Sequence, residues 1–544
     1  MIRFNALKEL RFQCSSTTFI VVLALYFGFV LNIPLTTKFI ALASEKSSGL
    51  FAYSSPLLLS AAFVIIFSCF NIPYFRKPFF IFLVLTSAMA SYATLKYGVL
   101  FDSTMMENIF ETNSHEAISY LNASSILYII AFGIIPSLMI AKVQFKKERS
   151  LVVRSAYKLL VVIVSLLVIT TIYSTSYKNY IYIGRNNSYL KKMITPAHIF
   201  NTAKYINRTY FTPPLKYKLI GEDAQSINAV NGKPSLIFVV IGEAARSMNI
   251  GYNGYARNTN PYTSQLGIIS INDVSSCGTS TAHSLPCMFS NMGRNHYNKE
   301  RADSQDNALD IIQRAGTTVS WFENDGGDKG VAKHVKKSTS FSSKYPESCP
   351  DGVCHDEVML DAFKHQTILD GKTNQLVVFH LIGSHGPTYW KRYPKNREIF
   401  KPACRRSDIE NCSDIEIRNV YDNTLVYTDY VLSELIKTLE AQSKHYNVAL
   451  TYIADHGESL GEKGLYLHGT PYSIAPKYQT KVPWFFWMDS QFEHAYSINR
   501  HCLTELAKSG SYSQDNLFHT LLDLAEIQTS AKVAGKSLIS TCRH

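Results

Sequence analysis

The chain has no CxxC pair among its ten cysteines, which removes zinc ribbons. It has no internal repeat and no low-complexity tract, so solenoids, arrays and biased tails are excluded. The first apolar run lacks a small-residue cleavage site and is too long for a removable signal peptide, so it is expected to stay as an anchor. Acidic residues are the scarcer charge, 42 against 54 Lys and Arg, leaving a formal net charge of +12. Two readings of that excess stand side by side: basic residues in cytoplasmic loops, and attraction to an anionic surface such as phosphorylated lipid.

What is present divides sharply. A mean hydropathy of -0.02 averages an apolar first part, up to about Tyr173, and a mixed, charged remainder. The expected organisation is a membrane part at 1–173, a connector at 174–234 broken by Pro196 and Pro213-Pro214, and a soluble part at 235–544. Five apolar segments, at about 17–36, 50–72, 78–96, 124–141 and 156–173, have the length needed to cross a bilayer. Ten basic residues flank them on one side: Arg3, Lys8, Arg11, Arg76, Lys77, Lys142, Lys146, Lys147, Arg149 and Arg154. The other side has Lys38 and Lys46, with Lys96 at a boundary. The positive-inside rule then puts the N-terminus in the cytoplasm and everything after Tyr173 outside. The outward loop DSTMMENIFETNSHEA carries Asp102, Glu107, Glu111 and Glu116, which suits a lipid amine as well as plain solvation. An amphipathic stretch around Ile199–Tyr210 fits a membrane surface.

The cysteines reach the same side independently. Eight of them lie beyond residue 270, three sets as close neighbours: Cys277 and Cys287, Cys349 and Cys354, Cys404 and Cys412. Short loops closed in this way indicate disulfides and an oxidising compartment. Cys502 and Cys542 are farther apart, and their pairing stays open.

In the soluble part, apolar runs alternate with helical patterns. Strands are expected at Ser235–Ile241, Thr317–Phe322, Gln375–Leu381, Val448–Ala454 and Val482–Trp487, with helices such as Asn307–Ala315 and Asn419–Gln442 between. This is the pattern of an α/β domain with a largely parallel sheet, whose functional groups gather at the strands' carboxyl ends. Glu243 follows the first strand, and Asp455 and His456 follow the fourth. Two carboxylates and an imidazole on separate strand tips fit a catalytic zinc with one open position, or manganese. The loop SCGTSTAHSLPC offers Thr279, Ser280 and Thr281 as candidate nucleophiles, and spacing does not choose among them. Gly242, Gly278 and Gly457 are read as tight-turn residues.

The blocks GEAARSMNIGYNGYARNTNP, SCGTSTAHSLPCMFS, LIGSHGPTYWKRYP and ADHGESLGEKGLYLHG follow the apolar segments in that order. Together with MMENIFETNSHE, they make the chain resemble the lipid A phosphoethanolamine transferases, which include the mobile colistin-resistance enzymes. The resemblance implies five membrane helices followed by a periplasmic α/β domain of alkaline phosphatase-like fold. It implies a zinc set of Glu243, Thr281, Asp455 and His456, with Thr281 as the nucleophile. It also implies substrate or second-zinc roles for His385 and His468, a phosphate contact for Lys329, and donor-lipid contacts for Asn108 and Glu116. His380 is a further candidate, while Asp325 stands where relatives often carry asparagine and is left out of the set.

The implied reaction moves phosphoethanolamine from phosphatidylethanolamine to lipid A at the bacterial inner membrane, by a monomer with no nucleic-acid partner. Alternatives are transfer to core sugars or to a protein, a phosphoglycerol transferase, or an inactive scaffold. A sulfatase is excluded by the absence of a CxPxR motif.

Overall fold

The structure is a computed structural model and describes residues 12–44, 50–112, 117–118, 120–146, 150–227, 229 and 231–543. Of the residues named above, Arg3, Lys8, Arg11, Lys46, Glu116, Lys147 and Arg149 lie outside the described residues. The chain forms two compact units: Met1–Met106 with Leu121–Thr209, and Glu107–Tyr120 with Tyr210–His544.

The first unit is helical. Its helices are α1 (Ser16–Tyr26), α2 (Ile33–Ser44), α3 (Ser55–Cys69), α4 (Arg76–Tyr97), the start of α5 (Ser103–Glu111), α6 (Ala123–Ile129), α7 (Ile135–Lys142), α8 (Leu151–Asn186) and α9 (Ala197–Ile206). Four spans among the described residues are long and apolar enough to cross a membrane, and a bent pair makes up to five. That pair comprises Ser16–Leu31 and Ile33–Ser44, which meet at 59°. The bend has a local cause. Asn32 is fully buried and its amide donates to the carbonyls of Phe27 and Thr195, at 2.9 and 2.8 Å, while its Oδ1 accepts from Thr195 N–H at 2.8 Å. Pro34 follows at once and has no N–H for the preceding turn.

The fifth apolar segment, expected to end at Tyr173, continues as one 36-residue helix to Asn186. The stretch STSYKNYIYIGRN loses hydropathy but contains no proline, so the helix persists after the apolar run stops. The amphipathic stretch forms α9, with His198 and Tyr205 buried.

The second unit is built on a seven-stranded sheet. In chain order the strands are β1 (Ser235–Gly242), β2 (Ile269–Ile271), β3 (Thr318–Glu323), β4 (Lys336–Ser338), β5 (Gln375–His380), β6 (Asn447–Ala454) and β7 (Trp484–Met488). Their spatial order is β2-β7-β6-β1-β5-β3-β4. β1 pairs in parallel with β6 and β5, and β7 runs antiparallel to β6 and to β2. The five strands read from sequence are all present. The two others have three residues each, too short for a periodic signal. Every residue of β1, β5 and β6 is buried, which explains their unbroken apolar runs. Helix α10 (Thr281–Met288) follows the SCGTS loop, and α11 (Asp414–Glu440) starts from a capping box made by Ser413 and Glu416.

Four disulfides staple this unit: Cys277–Cys287, Cys349–Cys354, Cys404–Cys412 and Cys502–Cys542. The last answers the pairing that the sequence left open. Cys14 and Cys69, in the helical unit, are free thiols.

Candidate metal centre

Register brings the candidate ligands to one edge. Ile241 of β1 faces both Ile453 of β6 and His380 of β5, so the three strands end together. Glu243, Asp455 and His456 leave the sheet there, each with no exposed surface. Gly242 and Gly457 are needed for space rather than for turns. A Cβ at Gly457 would lie 2.0 Å from the Tyr478 carbonyl oxygen, and one at Gly242 would lie 2.2 Å from the Tyr452 hydroxyl. Neither has a positive φ, so the tight-turn reading of these glycines is corrected.

The hydroxyl loop then resolves itself. Thr279 Oγ1 donates to the Thr470 carbonyl at 2.6 Å and is spent. Ser280 is the N-cap of α10, and Thr281 is its first residue. Thr281 Oγ1 donates to Glu243 Oε2 at 2.9 Å and lies 3.4 Å from His456 Nε2. The Cys277–Cys287 bridge ties the loop to the helix that presents this threonine. Phosphate at such a helix start meets unpaired N–H groups and the positive end of the dipole.

The surrounding atoms test whether a cation fits. Asp455 Oδ1 accepts from the N–H groups of Ala244 and His456, at 3.1 and 2.7 Å, which leaves Oδ2 free. His456 Nδ1 donates to the Gly457 carbonyl at 2.9 Å, so Nε2 carries the lone pair. That lone pair points at Glu243 Oε1, 3.5 Å away, and Asp455 Oδ2, 3.3 Å away. Both carboxylate oxygens are buried with no hydrogen-bond partner. Three acceptors facing one another without a donor are costly unless a positive charge lies between them. Ligand atoms of Glu243, His456 and His468 also lie within 4.8 Å of one another, so His468 joins this group. The donor set of carboxylate oxygen and imidazole nitrogen fits a divalent ion such as zinc.

The charges follow from burial. Glu243 is pushed well above the ordinary carboxylate range by burial first, then by Asp455 and Asp325. For Asp455, burial also opposes the charge, but His456 and the Ala244 N–H bring it below its usual value. Burial lowers His456 to about 4.

The substrate-side candidates are partly assembled. The His468 ring is 4.4 Å from that of His456 and 5.8 Å from that of His385. His385 Nδ1 donates to the Gly386 carbonyl at 2.8 Å. Lys329 Nζ donates to the carbonyls of Gly326 and Glu111, at 3.3 and 3.4 Å. Asn108 lies on α5 rather than at the strand tips, with its carbonyl accepting from the Thr112 hydroxyl at 2.7 Å.

Three groups escaped the sequence reading. Glu458 is fully buried, accepting from His468 Nδ1 at 2.9 Å and from the Tyr389 hydroxyl at 2.7 Å. It stands two residues after His456 in the DHGES block, a visible but unused signal. Asp325, outside the expected set, has a buried Oδ1 without a partner, and its Oδ2 lies 3.8 Å from His380 Nε2. Glu323 accepts from His380 Nδ1 at 2.9 Å. Although burial opposes both charges, this pairing lifts His380 to about 9 and holds Glu323 down at about 2.

A largely parallel sheet with this set at its tips, in one chain with a group of apolar helices, defines a membrane protein with a catalytic domain of alkaline phosphatase-like fold. Residues 235–527 match the family model described as Sulfatase, and residues 59–210 match the one described as Phosphoethanolamine transferase EptA/EptB. The phosphoethanolamine transferase EptA of Escherichia coli is 34% identical, with 96% of each chain covered. The phosphatidylethanolamine transferase Mcr-1 of Escherichia coli is 32% identical, covering 85% of this chain and 86% of that one. The integral membrane lipooligosaccharide phosphoethanolamine transferase A of Neisseria meningitidis superposes with a TM-score of 0.93 at 32% identity, over 98% of this chain and 100% of that one. The chain belongs to the phosphoethanolamine transferase family.

Proposed function

We propose that the protein transfers phosphoethanolamine from phosphatidylethanolamine to a phosphate of lipid A, on the periplasmic face of a bacterial inner membrane. The observation that carries this is the Thr281 hydroxyl, held at a helix start against Glu243 and beside His456, among carboxylate oxygens that have no other partner. Residues 1–173 anchor the chain, 174–234 connect, and 235–544 catalyse. Glu243, Thr281, Asp455 and His456 would hold zinc, with His468, whose ligand atom lies close to those of Glu243 and His456, and His385 on the substrate side. The ion, when bound, lowers the pKa of the threonine hydroxyl and offsets charge on the transferring group.

Glu243 Oε2, as hydrogen-bond acceptor, orients the hydroxyl and draws off its proton. Thr281 Oγ1 then forms a bond to the donor phosphorus as the bond to the diacylglycerol oxygen breaks, and that oxygen takes up a proton from water on leaving while Glu243 keeps the one from Thr281. The phosphoethanolamine remains on Thr281. A phosphate oxygen of lipid A, already anionic, attacks the same phosphorus, and Thr281 departs and regains its proton. Lys329 and the first N–H groups of α10 favour the negative charge of the transferring group. Glu458 fixes the His468 ring, with Nδ1–H toward the carboxylate and Nε2 as the lone pair. The added amine reduces the negative charge of lipid A, which weakens binding of cationic peptides such as polymyxins.

Two measurements test this. Lipid A from cells with and without the gene should differ by one phosphoethanolamine by mass spectrometry. Thr281→Ala should keep its fold and bound metal yet lose transfer, and wild-type protein exposed to donor alone should carry the added mass on Thr281. Full activity in Thr281→Ala refutes the nucleophile.

A further inference from the structure

Between Ser174 and Thr209 the chain carries six Lys and Arg residues and no Asp or Glu, and the acid-free stretch extends from Arg149 to Gly221. With the N-terminus in the cytoplasm, 174–209 lies on the outer side, where short loops are normally poor in Lys and Arg. A cationic surface placed against that rule calls for an anionic partner.

Helix α8 shows where the surface starts. Its 36 residues span about 54 Å, whereas a hydrocarbon core of about 30 Å takes up roughly 20 of them. Counted from Lys158, the last basic residue at the inner end, roughly 20 residues bring the outer boundary to Lys178. Arg185 follows seven residues later, on the same helix face and about 10 Å farther along the axis. Both cations are exposed, and with Tyr177, Ile181, Tyr182 and Asn186 they line a shallow groove of about 510 Å³. Among the described residues no carboxylate pairs with Lys178 or Arg185, whereas Lys192 nearby in sequence is held by Asp102 at 2.8 Å.

We propose that this face of α8 binds the headgroup of lipid A, with one phosphate at Lys178 and the other at Arg185. This rests on the reading of lipid A as acceptor. Two uncompensated cations about 10 Å apart suit two phosphates separated by a disaccharide better than a single phosphodiester. Tyr182, between them along the helix, and Tyr177, next to Lys178, offer flat apolar surface with a polar edge, which suits sugar. The face holds the acceptor at headgroup depth and takes no part in the chemistry.

The test uses the full-length protein in mixed micelles, with phosphatidylethanolamine as donor and lipid A titrated as acceptor. In Lys178→Ala/Arg185→Ala, KM for lipid A should rise about tenfold or more, with kcat within about twofold of wild type. Release of diacylglycerol without acceptor should be unchanged. Removing one phosphate from lipid A should raise KM in the wild type and much less in the variant. An unchanged KM overturns the proposal. So does equal competition by phosphatidylglycerol that the variant relieves to the same extent, because the face is then a general anionic-membrane surface. If the wild type modifies an acceptor other than lipid A, the acceptor reading fails separately, and retention of lipid A by wild type and variant in native mass spectrometry decides the face.

Discussion

Removing the cation from the strand-tip site should make the protein take up a proton, and returning it should expel that proton. Glu243 Oε1 and Asp455 Oδ2 lie 3.5 and 3.3 Å from the same imidazole nitrogen, so they are at most about 7 Å apart. Two full charges at that separation repel by about 2 kcal/mol or more at an effective dielectric constant of about 20. Burial adds to this and falls on Glu243, whose carboxyl is held well above its ordinary range. Asp455 stays ionised on its two backbone N–H donors, and His456, lowered to about 4 by burial, is already neutral. Any proton that the metal-free site takes up therefore goes to Glu243. Metal and proton compete for the same carboxylate, so affinity should increase by about tenfold per pH unit while Glu243 is protonated. Calorimetric titration of zinc into chelator-treated full-length protein, repeated in buffers of different ionisation enthalpy at pH 7, should show about one proton released per ion. Glu243→Gln should bind more weakly and release none. A wild type that releases no proton, or a Glu243→Gln variant that releases as many as wild type, refutes this account of the site.

Two further outcomes follow from the same fold. The His380–Glu323 pair should stabilise the protein fully between about pH 4.5 and 6.5. The contribution of His380 is lost as pH rises toward 9, and that of Glu323 as pH falls toward 2. The alkaline loss is on the order of 3 kcal/mol for the fully buried imidazole, and thermal melts of Glu323→Gln between pH 6 and 9 should lack that slope. Among the disulfides, Cys502–Cys542 closes 40 residues of sequence and Cys349–Cys354 only 5. Loop entropy then predicts that removing the first costs about 4 kcal/mol and removing the second about 2 kcal/mol. Paired Cys→Ser variants compared in chemical denaturation would show this, and the reverse order would contradict it.

Legibility in the sequence followed how local each signal is. The strands that end at the site are buried on both faces, so their apolar runs and the polar residues just beyond them, Glu243 and Asp455-His456, stood out directly. The choice among Thr279, Ser280 and Thr281 was not legible from spacing. It depends on a carbonyl 191 residues away in sequence taking Thr279 and a carboxylate 38 residues away taking Thr281. The apolar run stops at Tyr173 and so understates helix α8, because a helix ends where its backbone loses partners, and nothing between Ser174 and Asn186 removes them. Asp325 shows the converse limit. It stands outside the expected set, yet the fold buries it 3.8 Å from His380 Nε2, where it raises both Glu243 and His380. A carboxylate that no local motif marks thus belongs with Glu243 and His380 once the chain is folded. Its effect is carried by distances that only the assembled strand tips define.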